Sequence, residues 1–364
     1  MKKILFSAAI IALALTACDT TPKFTINGTV EGVENGKALL VKYANGKMDT
    51  LAQAGFTGGK FEMAGSVNGI TNANLMIEGQ RMRLPVILEN EKYTATIQLN
   101  NPAETKITGP ASQNLYNEYS SILSAARAEQ SKLYKSYNEA HQAKDEAKMK
   151  EIENLYNKVT EEATAKENEF VKANADSFVG AYVVASKMGG MSYEDLTAAY
   201  ELLGENAKQT EPAQMVKERI EKLAAVAVGQ VAPDFTLNTP EGKPLSMHSI
   251  KAKVKVIDFW ASWCGPCRGE NPNVVAMYKK YHPKGLEILS VSLDNNKEAW
   301  LQAIKDDKLT WNHVSDLKGW DCEAAKLYAV NGIPHLVVLD ANNVIVAKDL
   351  RGDALKAKVA ELLK

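Results

Sequence analysis

Several features of nucleic-acid-binding and membrane-spanning proteins are missing from this sequence. Lys and Arg number 43 against 44 Asp and Glu, which leaves a formal net charge of -1. Polynucleotide binding depends on an excess of basic residues that neutralise phosphates, so we expect no nucleic-acid partner. The one long apolar run, Ile4 to Leu15, holds about a dozen residues, whereas a membrane-spanning helix needs about 20. We therefore expect no spanning helix there.

The short apolar run instead has the pattern of a secretory signal. Lys2 and Lys3 precede it, and Leu15-Thr16-Ala17-Cys18 follows it. This tetrapeptide resembles the bacterial lipobox, in which the cysteine becomes the first mature residue and carries lipid. The resemblance implies a lipoprotein signal peptide over 1–17, lipidation of Cys18 and a tether over 18–23. We expect a periplasmic protein that is lipid-anchored to a bacterial membrane; an ordinary cleaved signal with a chance cysteine is the alternative.

Glycine and proline are distributed unevenly along the chain. Residues 1–110 hold eleven of the 23 glycines, and neither glycine nor proline occurs between 111 and 179. Over 24–110, short alternating runs are separated by Asn-Gly and Gly-Gly pairs, which are hairpin signals. They predict a small antiparallel β domain, a sandwich or a barrel. Because this region contains no cysteine and no histidine, we expect it to bind or to act as a spacer.

The segment 111–228 has a helical pattern. Apolar residues recur at helical spacing, as in Leu115 and Tyr119 and again in Ile152 and Leu155. The polar stretch His141 to Lys148 has little to bury and is expected to divide this pattern into a helical hairpin. Shorter helices are expected over the rest of the segment.

The carboxyl-terminal segment, 229–364, differs in composition from both. All five tryptophans and three of the four cysteines lie beyond residue 259. Predicted strands alternate with predicted helices, which is typical of a central mixed or parallel sheet flanked by helices. The sequence therefore predicts a multidomain protein with an α/β domain at its carboxyl end, and the chemistry is expected there.

A Cys-x-x-Cys motif, Cys264-Gly265-Pro266-Cys267, lies between the predicted strand Val254 to Trp260 and a helix. At such a junction the motif indicates redox chemistry. A zinc site would need further ligands, whereas the remaining thiol, Cys322, is single and the histidines are scattered, so no metal is expected. A helix N-terminus stabilises the Cys264 thiolate, and Cys267 can resolve the mixed disulfide that Cys264 forms. The expected redox group is this cysteine pair, without a further cofactor.

The segment Val256 to Arg268 closely resembles the active-site segment of thioredoxin. The extension Glu270-Asn271-Pro272 and the distant Ile333-Pro334 resemble the TlpA and ResA thiol-disulfide oxidoreductases. This resemblance covers 229–364 and implies a thioredoxin fold there. The front half more loosely resembles an uncharacterised domain that precedes such modules in Bacteroidetes lipoproteins.

The resemblance also implies roles for individual residues. Pro334 matches a cis-proline that presents backbone to an extended substrate, and the other implied substrate-binding residues are Trp263, Gly265, Pro266 and Ile333. Asp258 matches a buried carboxylate that takes part in proton transfer; a buried carboxylate has a raised pKa, which suits it to accept the Cys267 proton. Glu270 matches an acidic position of the ResA-like proteins, although it could simply complement the helix dipole.

Two residues leave alternatives open. His335 stands where these families commonly have threonine, and its imidazole would either tune the thiolate or point to solvent. Cys322 would be either an accessory redox thiol or an inert small residue.

These observations favour a membrane-anchored, extracytoplasmic protein-disulfide reductase. Its expected partners are protein thiol and disulfide substrates and a membrane thiol electron donor. The alternatives are a disulfide-forming oxidase or isomerase on the same fold, or a non-catalytic thioredoxin-fold binding protein.

Overall fold

The structure, a computed structural model, describes residues 22–44 and 46–364. The expected signal peptide and Cys18 lie outside the described residues. The described chain divides into two compact units, the first ending at Phe170 and the second beginning at Val171. Across the described ranges, no helix is both long enough and apolar enough to cross a membrane.

In the first unit, eight strands of the described chain form one sheet, which confirms the β-rich amino-terminal region. Their order is β6-β5-β2-β3-β4-β1-β7-β8. One neighbouring pair, β1 with β7, is parallel, so the prediction of a purely antiparallel sheet was wrong. Hairpin signals predict only how consecutive strands pair, and β1 and β7 are not consecutive. The strands are β1 (Phe24–Glu31), β2 (Asn35–Ala44), β3 (Lys47–Thr57), β4 (Lys60–Gly65), β5 (Thr71–Ile77), β6 (Arg83–Leu88), β7 (Lys92–Gln98) and β8 (Lys106–Thr108).

The first long helix covers both edges of this sheet. Helix α1 (Ala111–Gln142) begins directly after β8. Its Gln113 side chain accepts a hydrogen bond from the Ile87 N–H of β6, at 2.8 Å. One turn later, Asn117 donates to the Ile107 carbonyl of β8, also at 2.8 Å. Edge backbone that would otherwise be free to pair with another chain is thereby partly satisfied.

The polar stretch after α1 ends the helix as expected. Three residues separate the end of α1 at Gln142 from the start of α2 (Glu146–Ala173). Lys144 has a positive φ of 55°, and the Asp145 side chain accepts from the Lys148 N–H, which caps the start of α2. Tyr119 and Phe170 pack with ring centroids 5.5 Å apart. The two helices therefore form the predicted hairpin.

The second unit begins with four helices that share a small apolar core. Leu196, Leu203, Ala213 and Val216 are buried in it. Ser192 caps one of these helices, since its hydroxyl accepts from the Asp195 N–H at 3.0 Å. The helices are α3 (Phe178–Lys187), α4 (Tyr193–Glu201), α5 (Glu205–Lys208) and α6 (Glu211–Ala224).

A thioredoxin-like domain follows, as expected. Within the described residues its main sheet has five strands in the order β13-β12-β11-β14-β15. Strands β11, β12 and β13 are parallel to one another. Strand β14 is antiparallel to β11, and β15 is antiparallel to β14. Its elements are β9 (Thr236–Asn238), β10 (Pro244–Ser246), β11 (Val254–Trp260), α7 (Gly265–Tyr281), β12 (Leu286–Ser292), α8 (Lys297–Asp306), β13 (Asn312–Val314), α9 (Glu323–Leu327), β14 (His335–Asp340), β15 (Ile345–Lys348) and α10 (Gly352–Leu362).

Strand β11 lies at the centre of this sheet, and all seven of its residues are buried. A strand covered on both faces has a near-continuous apolar sequence, which explains the run from Val254 to Trp260. Helix α7 begins at Gly265, although a helical pattern of apolar residues is visible in the sequence only from Asn273. Pro272 lies inside the helix, and it hides the helical pattern of the first two turns. The Cys-x-x-Cys motif therefore forms the start of α7.

Candidate active site

The two cysteines of the motif are joined at the N-terminus of α7. Cys264 and Cys267 form a disulfide with a Cα–Cα distance of 5.3 Å. Cys264 is the N-cap residue, and its Sγ accepts a hydrogen bond from the Cys267 N–H at 3.2 Å. An N-terminal N–H group and the positive end of the helix dipole both favour negative charge on that sulfur. When the disulfide is opened, Cys264 is therefore the cysteine whose thiolate the backbone stabilises.

The loop that presents Cys264 is held by a carboxylate that the sequence did not single out. Asp294 follows β12 and is buried. It accepts from the Ser262 N–H at 3.0 Å and from the Ser262 hydroxyl at 2.6 Å. Ser292 donates to the same carboxylate at 2.7 Å. Asp294 thus connects the end of β12 to the loop that follows the neighbouring strand β11.

A second brace involves Arg268, the residue after the motif. Its guanidinium forms a two-pronged ion pair with Asp307 and donates to the Ser262 carbonyl at 3.2 Å. Asn271 adds a hydrogen bond to Asp307 at 2.6 Å. Burial opposes ionisation of Asp307, but these hydrogen bonds outweigh it and lower the pKa of the carboxyl. The first turn of α7 is therefore fixed to the end of α8.

Asp258 lies within β11, as expected, and is 5% exposed. Its Oδ2 accepts from the Ser290 hydroxyl at 2.9 Å, and Ser290 accepts in turn from the Trp311 indole N–H at 2.8 Å. Burial raises the pKa of Asp258 to about 6, and the Ser290 hydrogen bond only partly offsets this effect. A carboxyl with such a pKa exchanges its proton near neutral pH, which suits a general acid or base.

Pro334 directly precedes β14, the strand next to β11. The Ile333–Pro334 peptide bond is cis, as the resemblance implied. Arg351 donates to the Pro334 carbonyl at 2.9 Å. The adjacent Gly352 N–H donates to Glu270 Oε1 at 2.8 Å. Glu270 therefore connects α7 to the residues that hold the cis-proline segment, a contact that its sequence position alone does not reveal.

Two tryptophans form an exposed surface beside the motif. Trp263 is 53% exposed and Trp320 is 49% exposed, and their ring centroids are 6.1 Å apart. Gly265 and Pro266 are also exposed, whereas Ile333 is half-buried and Pro334 is buried. The expected substrate-binding residues thus include an accessible set at the mouth of the motif. Trp320, from the segment before α9, belongs to this surface although no sequence motif marks it.

The two residues with open alternatives are now placed. Cys322 is buried, and burial raises the pKa of its thiol to about 11, which favours the inert alternative. His335 pairs with Phe259 across the strands, while Asp258 pairs with Leu336. Successive residues of a strand alternate between its faces, so His335 lies on the face opposite Asp258. Its imidazole Nδ1 is 2.7 Å from Asp349 Oδ1.

This arrangement defines the class of protein. A disulfide at the start of the helix after the central strand, together with a cis-proline before the neighbouring strand, is the arrangement of a thiol-disulfide oxidoreductase with a thioredoxin fold.

Known proteins with similar sequences belong to the same class. Residues 228–348 match the AhpC/TSA family, and residues 24–116 match a domain of unknown function, DUF4369. The chain is 30% identical over 137 residues to the thiol-disulfide oxidoreductase ResA of Bacillus thuringiensis subsp. konkukian, covering 38% of this chain and 77% of the relative. It is 34% identical over 127 residues to the thioredoxin-like protein YneN of Bacillus subtilis, covering 34% of this chain and 72% of the relative.

Solved structures also match part of this chain. The thioredoxin domain of a thiol-disulfide oxidoreductase from Bacteroides vulgatus is 36% identical, with a TM-score of 0.36 over 38% of this chain and 99% of that one. A thiol-disulfide oxidoreductase from Bacteroides fragilis is 37% identical, with a TM-score of 0.35 over 36% and 99%. By its sequence relatives, this chain belongs to the ResA-like thiol-disulfide oxidoreductase family.

Proposed function

We propose that the protein reduces disulfide bonds of other proteins outside the cytoplasm, held at a membrane by lipid on Cys18 and recharged by a membrane dithiol donor. The observation that carries the catalytic part is the position of Cys264 as the N-cap of α7, with its Sγ 3.2 Å from the Cys267 N. That position gives one thiol of the pair a nucleophilic thiolate.

The reaction proceeds by two exchanges. The Cys264 thiolate attacks a substrate disulfide, so that one enzyme–substrate S–S bond forms, the substrate S–S bond breaks and a substrate thiolate leaves and takes up a proton. Cys267 then loses its proton and attacks Cys264 Sγ, which releases the second substrate thiol. Two electrons have passed to the substrate, and the enzyme disulfide has formed. A membrane dithiol returns both electrons and is itself oxidised.

Asp258 is the proposed acceptor of the Cys267 proton. An ordinary carboxylate is too weak a base to take a proton from a thiol of pKa about 8.5. Burial raises the pKa of Asp258 to about 6, which brings the two groups closer in basicity. The Ser290 hydroxyl keeps the carboxylate oriented while it changes protonation state.

The reductive direction rests on the pattern around the cysteines. Gly265 and Pro266 between them, Ile333 before the cis-proline and Asp258 in the central strand all match the reducing thioredoxin pattern. Strong oxidants of this fold owe their character to a highly stabilised reduced form. Disulfides persist outside the cytoplasm, so a reductase working there needs a continuing supply of electrons, which is why a donor is part of the proposal.

Anchoring rests on the lipobox-like segment. Multiple acyl chains are enough for stable attachment without a spanning helix. In membrane fractionation of bacterial cells, wild type should sediment with membranes and Cys18→Ser should be released. A Cys18→Ser variant that stays with the membranes would contradict the lipid anchor while leaving the redox proposal intact.

Trapping tests the catalytic proposal. A Cys267→Ser variant retains the attacking thiol and lacks the resolving one, so substrates should accumulate as disulfides on Cys264. These complexes should disappear with dithiothreitol and should be absent from a Cys264→Ser, Cys267→Ser double variant. An absence of complexes with Cys267→Ser in cells would contradict a protein-disulfide substrate.

A further inference from the structure

The second unit contains a cavity that the redox reaction does not use. Its volume is about 420 Å³. Helices α4 and α6 line it on one side, and the ends of α9 and β15 with the start of β14 line it on the other. The charged or titratable side chains that face it are Glu194, Arg219, His335, Lys348 and Asp349.

Arg219 in this cavity has no acidic partner among the described residues. Its Nε is buried and makes no hydrogen bond. Desolvation by burial lowers the pKa of the guanidinium, with no carboxylate acting against it. Leaving a buried donor on a charged group unsatisfied is unfavourable, because the group has lost its water without gaining an acceptor. Such a group is expected where a ligand supplies the missing acceptor.

A second buried polar atom faces the same space. His335 Nδ1 is bound to Asp349 at 2.7 Å, whereas its Nε2 is buried and makes no hydrogen bond. The histidine side chain is 14% exposed, so bulk solvent does not readily satisfy this nitrogen. Two unsatisfied nitrogens, on α6 and on β14, thus line one cavity. When protonated on both nitrogens, the imidazole is a second donor to an anion.

The charges of the cavity select the kind of anion. Lys348 adds a second cation, and Glu194 and Asp349 add two acids. Asp349 is occupied by His335, and burial lowers the pKa of Lys348. With His335 protonated, three cations face two carboxylates, so the cavity has one positive charge in excess and matches a single negative charge on a ligand. A singly charged, planar group that a guanidinium fork can bind is favoured.

The remaining walls are mixed, with Ser192 and Asn331 as polar residues beside several apolar side chains. The apolar side chains include Met191, Leu223, Tyr328 and Val330, and the cavity volume lies in the range of small-molecule sites. We propose that this cavity is a binding site for a monocarboxylate with an apolar body, its carboxylate held by Arg219 and completed by His335. The carboxylate comes either from a free small acid or from the carboxyl terminus of a peptide.

The test is isothermal titration of the full, disulfide-closed chain with matched pairs of probes. N-acetylleucine is compared with N-acetylleucinamide, and a hexapeptide ending in leucine is compared with its carboxyl-amidated form. Inorganic phosphate is titrated as a multiply charged anion. At least one free acid should bind at least about tenfold more tightly than its amide, as expected when one charge-assisted interaction is lost.

The outcomes separate the two sources. If N-acetylleucine binds more tightly than N-acetylleucinamide, the site accepts a free small acid. If the hexapeptide with a free carboxylate binds more tightly than its amidated form, the site accepts a peptide carboxyl terminus. Either result supports the site. Equal binding of acid and amide, or no binding of either carboxylate, overturns the proposal. Binding of phosphate alone overturns it as well.

Variants assign the binding to the cavity. Arg219→Met should abolish preferential binding of the acid, while Lys217→Gln, an exposed charge on the same helix, should leave it unchanged. Arg219 is half-buried and has no acidic partner among the described residues, so ligand-free Arg219→Met should have a Tm at least as high as wild type. Loss of acid preference in this variant would then not be caused by unfolding. Retained acid preference in Arg219→Met would contradict the assignment.

Discussion

The eight-stranded first sheet and the five-stranded second sheet of the described chain differ in how they bury their strands. Strand β1 of the first sheet alternates between buried and exposed or half-buried residues, whereas every residue of β11 in the second sheet is buried. A half-exposed sheet can interact along a face, but it gives no enclosed environment for a titrating group. A strand buried on both faces shields Asp258 from water and ends at the N-terminus of α7. The reactive groups therefore lie in the domain built on the second sheet, with Asp258 on β11 and the two cysteines at the start of α7.

Removing the nucleophile of the second sheet's domain should have the largest effect on activity. Cys264→Ser should lower the rate of insulin disulfide reduction by more than about a thousandfold, because serine supplies no thiolate. The matched control is Cys322→Ser, which removes a buried thiol whose pKa is raised to about 11. That control should keep its rate. An active Cys264→Ser variant would place the nucleophile elsewhere.

Removing the buried carboxylate should have the next largest effect. Asp258→Asn should slow release of substrate from the mixed disulfide by about a hundredfold, because Cys267 loses its proton acceptor. Single-turnover kinetics measure this step. Asp49→Asn, which removes an exposed carboxylate in the first unit, is the control and should leave the step unchanged.

The same variant has a defined effect on stability. Burial raises the folded-state pKa of Asp258 to about 6, above its unfolded value near 4. Between these values the folded protein binds more protons, so the contribution of Asp258 to stability falls as pH rises and stays unfavourable above pH 6. At pH 7.5, Asp258→Asn should raise the free energy of unfolding by about 2–3 kcal/mol. A gain as large at pH 3.5 would contradict the raised pKa.

A change in the first sheet should alter stability without altering catalysis. Gly28 lies opposite Phe61, and a Cβ added there would be 2.0 Å from the Phe61 ring. Gly28→Ala should destabilise the first unit by about 1–3 kcal/mol, as measured by urea unfolding. Thr29→Ala, at the neighbouring exposed position, is the control. A change in insulin reduction rate by Gly28→Ala would show that the first sheet affects the reaction.

The smallest expected effect comes from removing the first unit altogether. Every proposed catalytic and substrate-binding residue lies within 171–364, which forms its own compact unit. A 171–364 fragment should therefore reduce insulin at the rate of the full chain. If a fragment with native circular dichroism lost activity, the first unit would be shown to contribute to the reaction.

Local sequence patterns predicted the parts of this molecule that local forces determine. Gly58 and Gly59 both have positive φ values of 66° and 70° in the turn between β3 and β4, as a two-residue hairpin requires. The Cys-x-x-Cys motif at a strand–helix junction predicted the paired cysteines. The sequence did not predict the parallel pairing of β1 with β7, because these strands are far apart in the chain.

The supports of the site could not be predicted for the same reason. Asp294 holds Ser262 across 32 residues, and Gly352 reaches Glu270 across 82. No spacing rule connects such positions, since only the packing of the sheet and its helices brings them together. Arg219 carried no signal at all, because an arginine on an amphipathic helix is usually solvated. Its unsatisfied Nε is visible only once α6 is seen against the cavity.

The direction of electron flow is the central claim, and the redox potential of the cysteine pair tests it most directly. The Cys322→Ser chain, which retains Cys264 and Cys267 as its described thiols, is equilibrated with glutathione buffers, and the reduced fraction is measured by alkylation and mass spectrometry. We predict a potential near the thioredoxin value of about -270 mV. A potential near about -120 mV, typical of strong oxidants of this fold, would contradict the reductase and favour a disulfide-forming enzyme.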